Sequence, residues 1–307
     1  MRVVVTGGAG FIGSHLVDAL LACPANRVIV LDNFRRGSRA NLQQHRDDTR
    51  LCLIEGDVRD AETLVRLLDQ AEVVFHLAAQ SNVLGAVSDP RYSLETNVVG
   101  TFNVLDAARR SGVRRVVFSS SREAYGEARD LPVCEDAPLL AKNTYGASKV
   151  AAEVYCRTFD TVFGLSTAVL RFANVYGPRD IDRVIPRWLA LAEAGAPLEV
   201  FGGDQLIDFV PVDVAVAALL RAAETGTRGD AVNVASGRGT PIIALAEQIL
   251  ALSGSRSALR IVPPRDAEVR RFVADTTRMQ HWLGIEPPAE PLRDLPALCR
   301  AREQIHV

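Results

Sequence analysis

Val3-Val4-Val5-Thr6-Gly7-Gly8-Ala9-Gly10-Phe11-Ile12-Gly13 opens the chain, and the fold is decided by how this stretch is read. Three valines in a row, followed by a threonine, form the continuous β-branched run of a strand buried on both faces. Apolar residues then return with helical spacing over Ile12–Ala22. Between the two elements, glycines fall at G-x-x-G-x-x-G spacing. Gly7 and Gly10 permit a tight turn and close backbone approach, and Gly13 lets helix and sheet pack closely. The helix N-terminus offers its N–H groups to a pyrophosphate.

The same rhythm continues outward. Strands are predicted at Val3–Thr6, Arg27–Leu31, Leu51–Glu55, Val73–His76, Arg115–Ser119 and Ser166–Leu170, with helices over Glu62–Leu68, Leu94–Arg110 and Tyr145–Thr161 between them. Strand–helix alternation at this pitch implies an α/β fold with a doubly wound, Rossmann-type parallel sheet. After Leu170 the pattern loosens at Pro178, Pro186, Pro197 and Gly202-Gly203. A helix (Val212–Glu224) and a strand (Val232–Ala235) then return, and the last 70 residues read as mostly short helices broken at Pro263-Pro264 and Pro287-Pro288. The expected division is a large domain, 1–172 with 211–235, and a smaller interleaved C-terminal lobe, 173–210 with 236–307.

With 307 residues, 48% hydrophobic and 23% charged, the chain can bury a substantial core. A net charge of −2 without long runs of either sign points away from nucleic acid and from anionic membrane surfaces. Cys23, Cys52, Cys134, Cys156 and Cys299 lack CxxC spacing and nearby His pairs. They read as free thiols in a reducing cytoplasm, with neither a disulfide framework nor a metal site. No charged and apolar leader opens the sequence and no apolar stretch approaches 18 residues, so a cytoplasmic protein is expected.

Asp32 ends the second strand about 20 residues after the glycines, where a carboxylate can accept hydrogen bonds from both ribose hydroxyls of an adenosine. It would repel a 2′-phosphate, which favours NAD over NADP, although Arg35 and Arg36 follow and an Arg can accommodate that phosphate. Asp57, after the third strand, is a candidate for the adenine and equally a loop cap.

Tyr145-Gly-Ala-Ser-Lys149 opens a helical pattern, and residues four apart share one helix face. Only Lys142 and Lys149 are lysines among 35 basic residues. A Lys at this spacing is therefore specific: a compact ammonium can donate to a ribose and favour phenolate in ways a guanidinium fork does poorly. Lowered toward neutrality, the Tyr145 phenol would take a hydroxyl proton while the carbon beneath yields hydride, with Ser121 at a strand end sharing the hydrogen bond. Lys142 is either a surface residue or faces the substrate.

TGGAGFIGSH, Asp32-Asn33, HLAAQ at 76–80, SSSREAYG at 119–126, YGASK at 145–149 and RFANVYGPR at 171–179 occur in one order. In that order they resemble the NAD-dependent epimerase/dehydratase family of extended short-chain dehydrogenases. The resemblance implies Ser121, Tyr145 and Lys149 as catalytic trio, with Glu123 beside them. It implies NAD contacts from Gly7, Gly10, Phe11, Ile12, Gly13, Asp32, Asn33, Asp57, Val58, Leu77, Ala78, Ala79, Tyr145 and Lys149. A sugar nucleotide would be held by Ser121, Tyr145, Asn174, Arg265, Glu268 and Phe272, in a homodimer built through two helices of the large domain.

Three departures from the family pattern bear on function. Ile207 stands where the family usually carries an Arg, removing one nucleotide contact. Phe272 occupies a position where bulk limits sugar size, which disfavours N-acetylated sugars. Arg122-Glu123 replaces the Asp-Glu of sugar 4,6-dehydratases. Four readings follow. A UDP-glucose 4-epimerase-like nucleotide-sugar 4-epimerase comes first, then a 4,6-dehydratase or decarboxylase using Glu123 as base. A ketosugar reductase and a non-catalytic NAD-binding protein come behind them.

Overall fold

The computed structural model describes residues 1–226 and 228–303. Its strands are, in chain order, β1 (Arg2–Thr6), β2 (Arg27–Asp32), β3 (Leu51–Glu55), β4 (Val73–His76), β5 (Arg115–Ser121), β6 (Ser166–Phe172) and β7 (Asn174–Tyr176). They continue with β8 (Leu198–Phe201), β9 (Leu206–Pro211), β10 (Ala231–Val234), β11 (Gly239–Pro241), β12 (Leu259–Val262) and β13 (Arg271–Phe272). Seven form one sheet in the order β10-β6-β5-β4-β1-β2-β3, every pairing parallel. The strand order reverses between β1 and β4, and in such sheets ligands enter at that switch point, outside the carboxyl ends of the strands.

Period-two alternation divides the valine runs between two cores. Val3, Val5, Val28 and Val30 face the helices Phe11–Leu21 and Val212–Glu224 on one side. Val4, Ile29 and Leu31 face Ala61–Leu68, Gly100–Arg110 and Thr144–Phe163 on the other. A third core lies apart, where Trp188, Leu189, Tyr176, Phe209, Leu245 and Ile249 pack together.

Two expectations are corrected. The helix expected over Leu94–Arg110 is instead a helix at Pro90–Leu94, a π-turn at Glu95–Val99 and a helix at Gly100–Arg110. The π-turn inserts a residue into the helical ladder, a feature concentrated at functional sites, and it turns Asn97 inward. The Asn97 amide donates to Ser148 Oγ at 2.8 Å, and its carbonyl accepts from Gln80 N–H at 2.7 Å. The last 70 residues hold the expected short helices, Ile242–Leu252, Thr277–Leu283 and Leu295–Glu303, but short strands stand between them as well. β11 and β13 flank β9, which β7 also joins, and β12 pairs with β8. These strands have two to four residues and distant partners, so they carry no readable period. β7, β8, β11, β12 and β13 fall in the expected smaller lobe, as does most of β9; residues 304–307 of that lobe lie outside the described residues.

Candidate functional site

A cleft of about 670 Å³ opens at the switch point, between the carboxyl ends of the parallel strands and the elements around β7–β9. Its floor is the glycine turn. Gly7 has φ +72°, and a Cβ there would stand 2.7 Å from the backbone nitrogen of Ala78, so the turns after β1 and β4 meet at a distance only glycine allows. A Cβ at Gly13 would stand 2.2 Å from the Gly7 carbonyl oxygen. The helix starting at Phe11 has no side-chain cap and no acidic residue in its first turn, which leaves its N–H groups and positive dipole end directed to the cleft. Phe11, Ile12, Leu77, Ala78 and Ala79 line the cleft with the glycines. Below them the buried His76 bridges Thr6 Oγ1 at 2.7 Å and Thr101 Oγ1 at 2.9 Å. Burial and the nearby Lys149 charge lower its pKa to about 3, so the ring is neutral.

At one end of the cleft, Asp32 Oδ2 accepts from Ala9 N–H and Oδ1 from Phe34 N–H, both at 2.9 Å. Burial raises its pKa against the pull of these bonds. Arg35 stacks on the Tyr92 ring, 3.8 Å from its centroid, and Arg36 pairs with Asp182 at 2.6 Å, so both guanidinium groups already have partners. Asp57 accepts from Asn33 Nδ2 at 2.9 Å and from Arg59. Burial opposes its ionisation, but the Arg59 and Asn33 hydrogen bonds outweigh burial and hold it low. Asp57 thus caps its own loop while its neighbours Gly56 and Val58 also line the cleft. These groups fit a dinucleotide: a glycine cradle that any Cβ would fill, a free helix N-terminus and a strand-end carboxylate.

At the other end, Ser121 closes β5 and Tyr145 opens the long helix Thr144–Phe163. Gly146 allows this approach, since a Cβ there would stand 2.3 Å from the Glu123 carbonyl oxygen. Ser121 and Tyr145 both line the cleft, and the nearby Ser121 hydroxyl favours the Tyr145 phenolate. Lys149 is one helical turn on, its ammonium 5.8 Å from the Tyr145 ring centroid and donating to the Ser119 carbonyl at 2.8 Å. The expected lowering of the Tyr145 pKa rested on Lys149 and a positive nicotinamide together, and the protein's own surroundings act the other way. Desolvation of the phenol dominates and pushes it up to about 12, and the cations that oppose this are Arg183 and Arg36. Lys149 is itself brought down to about 8 by burial, with Glu153 and Cys156 opposing.

Glu123 is 5% exposed and both its oxygens are taken. Arg122 Nη2 lies 3.0 Å from Oε1, and Asn143 Nδ2 donates to Oε2 at 2.8 Å. Arg122 Nε in turn donates to Asn174 Oδ1 at 2.6 Å. Asn143 also caps the Tyr145 helix, its Oδ1 accepting from Gly146 N–H at 2.8 Å, and donates to the Ala267 carbonyl at 2.9 Å. Sequence reasoning missed Asn143, although an Asn just before a helical pattern is a cap signal.

Arg265 and Glu268 line the opposite wall and pair at 2.9 Å, and the Arg265 guanidinium lies 3.5 Å from the Phe201 ring centroid. Ile207 also lines the cleft, as do the unanticipated Arg183, Arg187 and Trp188. Phe272 does not line the cleft. It is 1% exposed and stacks on Tyr125 with centroids 5.9 Å apart, because β13 turns it into the core while Val269 reaches the wall. Lys142 binds Glu127 at 2.9 Å and the Glu268 carbonyl at 2.8 Å, fastening the 265–270 segment. It too is absent from the cleft lining.

A model of the NAD dependent epimerase/dehydratase family matches residues 3–235. The chain is similar to a UDP-glucose 4-epimerase of Mycolicibacterium smegmatis, 37% identical over 294 residues that cover 94% of each chain. Its structure is similar to that of a UDP-glucose 4-epimerase of Thermotoga maritima solved with UDP-glucose, at 34% identity, TM-score 0.93 and full coverage of both chains. It is also similar to a dTDP-glucose 4,6-dehydratase of Streptomyces venezuelae solved with NAD and TYD, at 32% identity and TM-score 0.94, covering 99% of this chain and 97% of that one. With this match spanning the cleft-forming sheet, the chain belongs to the NAD-dependent epimerase/dehydratase family.

Proposed function

We propose that the protein is a nucleotide-sugar 4-epimerase, acting on a UDP-sugar by transient oxidation at C4. The observation that carries this reading is the convergence of Ser121, Tyr145 and the buried Lys149 on the cleft, with the neighbouring carboxylate of Glu123 already held on both oxygens. The large domain (1–172 with 211–235) would hold NAD. The smaller lobe (173–210 with 236–307) would hold the nucleotide through Arg265 and Glu268.

NAD, when bound, supplies the hydride acceptor for C4 and a positive ring whose field favours the Tyr145 phenolate. Every other task falls to this chain. Ser121 and Tyr145 would share the sugar 4-hydroxyl, and Tyr145 would take its proton as the C4–H bond breaks, then return it once the sugar has turned over. Lys149 would hold the cofactor ribose and keep positive charge under the phenol. Asp32, with neighbours that occupy Arg35 and Arg36, would select NAD over NADP.

Glu123 next to Ser121 keeps the 4,6-dehydratase or decarboxylase reading as the second one, and similarity to a dTDP-glucose 4,6-dehydratase supports it. Incubating the protein with a panel of UDP- and dTDP-hexoses and UDP-hexuronic acids, with products identified by NMR, separates the readings. Interconversion of C4 epimers supports the first. Absence of any C4 inversion, with a keto-deoxy sugar or pentose formed instead, removes it.

The helices Gly100–Arg110 and Thr144–Phe163 present Phe102, Val154, Tyr155, Val162 and Phe163 to solvent side by side. This apolar strip is the surface through which we expect a homodimer. No helix among the described residues is long and apolar enough to cross a membrane, and a cytoplasmic location is consistent with the five free thiols.

A further inference from the structure

Arg36 and Asp182 both line the cleft, carried by segments far apart in sequence. Arg36 belongs to the turn after β2, and Asp182 to the segment between β7 and the helix Val184–Glu193. Arg36 Nη2 reaches both carboxylate oxygens of Asp182, at 2.6 and 2.5 Å, although the two residues are 146 positions apart. The turn that carries Arg36 is wrapped on the Asp32 carboxylate: Phe34 N–H donates to Oδ1, and a Cβ at Gly37 would stand 2.7 Å from that oxygen. The segment that carries Asp182 is fastened to the glycine-turn helix as well. Arg179 pairs with Asp18 at 2.8 Å, and the Arg183 guanidinium lies 5.2 Å from the Phe11 ring centroid.

We infer that the Arg36–Asp182 pair is a strap across the mouth of the dinucleotide cleft, and that these two are positioning residues that retain the cofactor through turnover. The inference rests on the proposed epimerase reading. Hydride taken from C4 must return to the same sugar, so a reduced dinucleotide that escapes between the two transfers leaves both enzyme and sugar stranded. Neither residue needs to touch the reacting atoms. Their contribution is to slow opening of the wall that covers the dinucleotide.

The pair is partly exposed, with side chains 28% and 42% accessible, so it is a modest fastener. Breaking it should speed release about three- to tenfold. The test loads the full chain with NADH and follows its fluorescence on dilution into excess NAD. Arg36→Ala and Asp182→Ala should each release NADH faster. The double variant should be no faster than either single one, and the exchanged pair Arg36→Asp with Asp182→Arg should recover slow release. Added salt should speed release from the parent more than from the variants.

Parent-like release in both single variants overturns the strap. So does an effect of Arg36→Ala that Asp182→Ala does not share, which would make Arg36 a direct contact of the dinucleotide. A parent that binds no NADH at all defeats the cofactor reading itself and the strap with it.

Discussion

The ammonium of Lys149 donates to the carbonyl oxygen of Ser119 at 2.8 Å from a fully enclosed position. Burial lowers its pKa from 10.5 to about 8, so between those values the unfolded chain binds more protons than the folded one. Stability from this group therefore rises with pH across 8 to 10.5 and is flat below 8. The penalty below pH 8 is on the order of 3 kcal/mol, at 1.36 kcal/mol per unit. Lys149→Met should abolish turnover yet unfold at higher temperature than the parent near pH 7, with the advantage shrinking as pH approaches 10.5. A difference in melting temperature that does not change with pH would show that the Lys149 proton is not held this weakly.

Tyr145→Phe should keep the fold and retain NAD while losing turnover by about 10²–10⁴, the scale for removing a positioned acid–base group. Burial raises the Tyr145 pKa, and the Arg183 charge offsets the largest part of that rise. Arg183→Leu should therefore raise the phenol's pKa and move the rising limb of the activity profile, where Tyr145 loses its proton, to higher pH. Profiles of kcat against pH for the three proteins check both statements. Tyr145→Phe within twofold of the parent would remove it as the base.

Phe272→Ala should destabilise the protein by about 3–5 kcal/mol, the usual cost of truncating a buried ring, since Phe272 stacks on Tyr125 inside the core. Thermal unfolding should show a large drop, and a panel of sugar nucleotides should show no new acceptance of N-acetylated sugars. Gain of N-acetylhexosamine turnover without loss of stability would restore the sugar-size role expected from its place in the sequence.

That contrast marks what could be read from the chain. Val3–Val5 and the glycines after them are local signals, and parallel strands buried on both faces announce themselves as continuous apolar runs. Ser121, Tyr145 and Lys149 were legible because each ends or begins a readable element. The position of Phe272 was not, because a two-residue strand has no period to say which way a side chain points. Asn97 was hidden by a π-turn that shifts the face of an otherwise ordinary helical pattern. Arg36 with Asp182, and β8 with β12, join segments far apart in sequence, and nothing local marks either partner.

Arg265 spans Phe201 and Glu268 on the wall opposite the glycine turn. If it grips the diphosphate equally in ground and transition states, Arg265→Ala should raise KM for the sugar nucleotide roughly tenfold or more and leave kcat nearly unchanged. Ile207→Arg, also in the cleft lining, should lower KM by restoring a cation. Steady-state kinetics and nucleotide binding by calorimetry test the pair. Unchanged affinity in both would move the diphosphate away from this wall.

Glu123 decides between inversion and dehydration. Once C4 is a ketone, the C5–H becomes acidic because the carbanion is delocalised into it, and a 4,6-dehydratase needs a base there and a proton donor for the departing 6-hydroxyl. Glu123 has its two oxygens on Arg122 and Asn143. Arg122 stands where the proton donor would have to be, and a guanidinium is a poor general acid. Glu123→Gln should thus cost an epimerase no more than about tenfold, because the amide keeps the shape and one acceptor oxygen for Asn143 and loses the pairing with Arg122. Run in D2O, the parent should return C4-epimerised sugar with no deuterium at C5, since hydride leaves and re-enters at C4 alone. A 4-keto-6-deoxy sugar carrying solvent deuterium, produced by the parent and lost in Glu123→Gln, would make Glu123 the base and the protein a dehydratase.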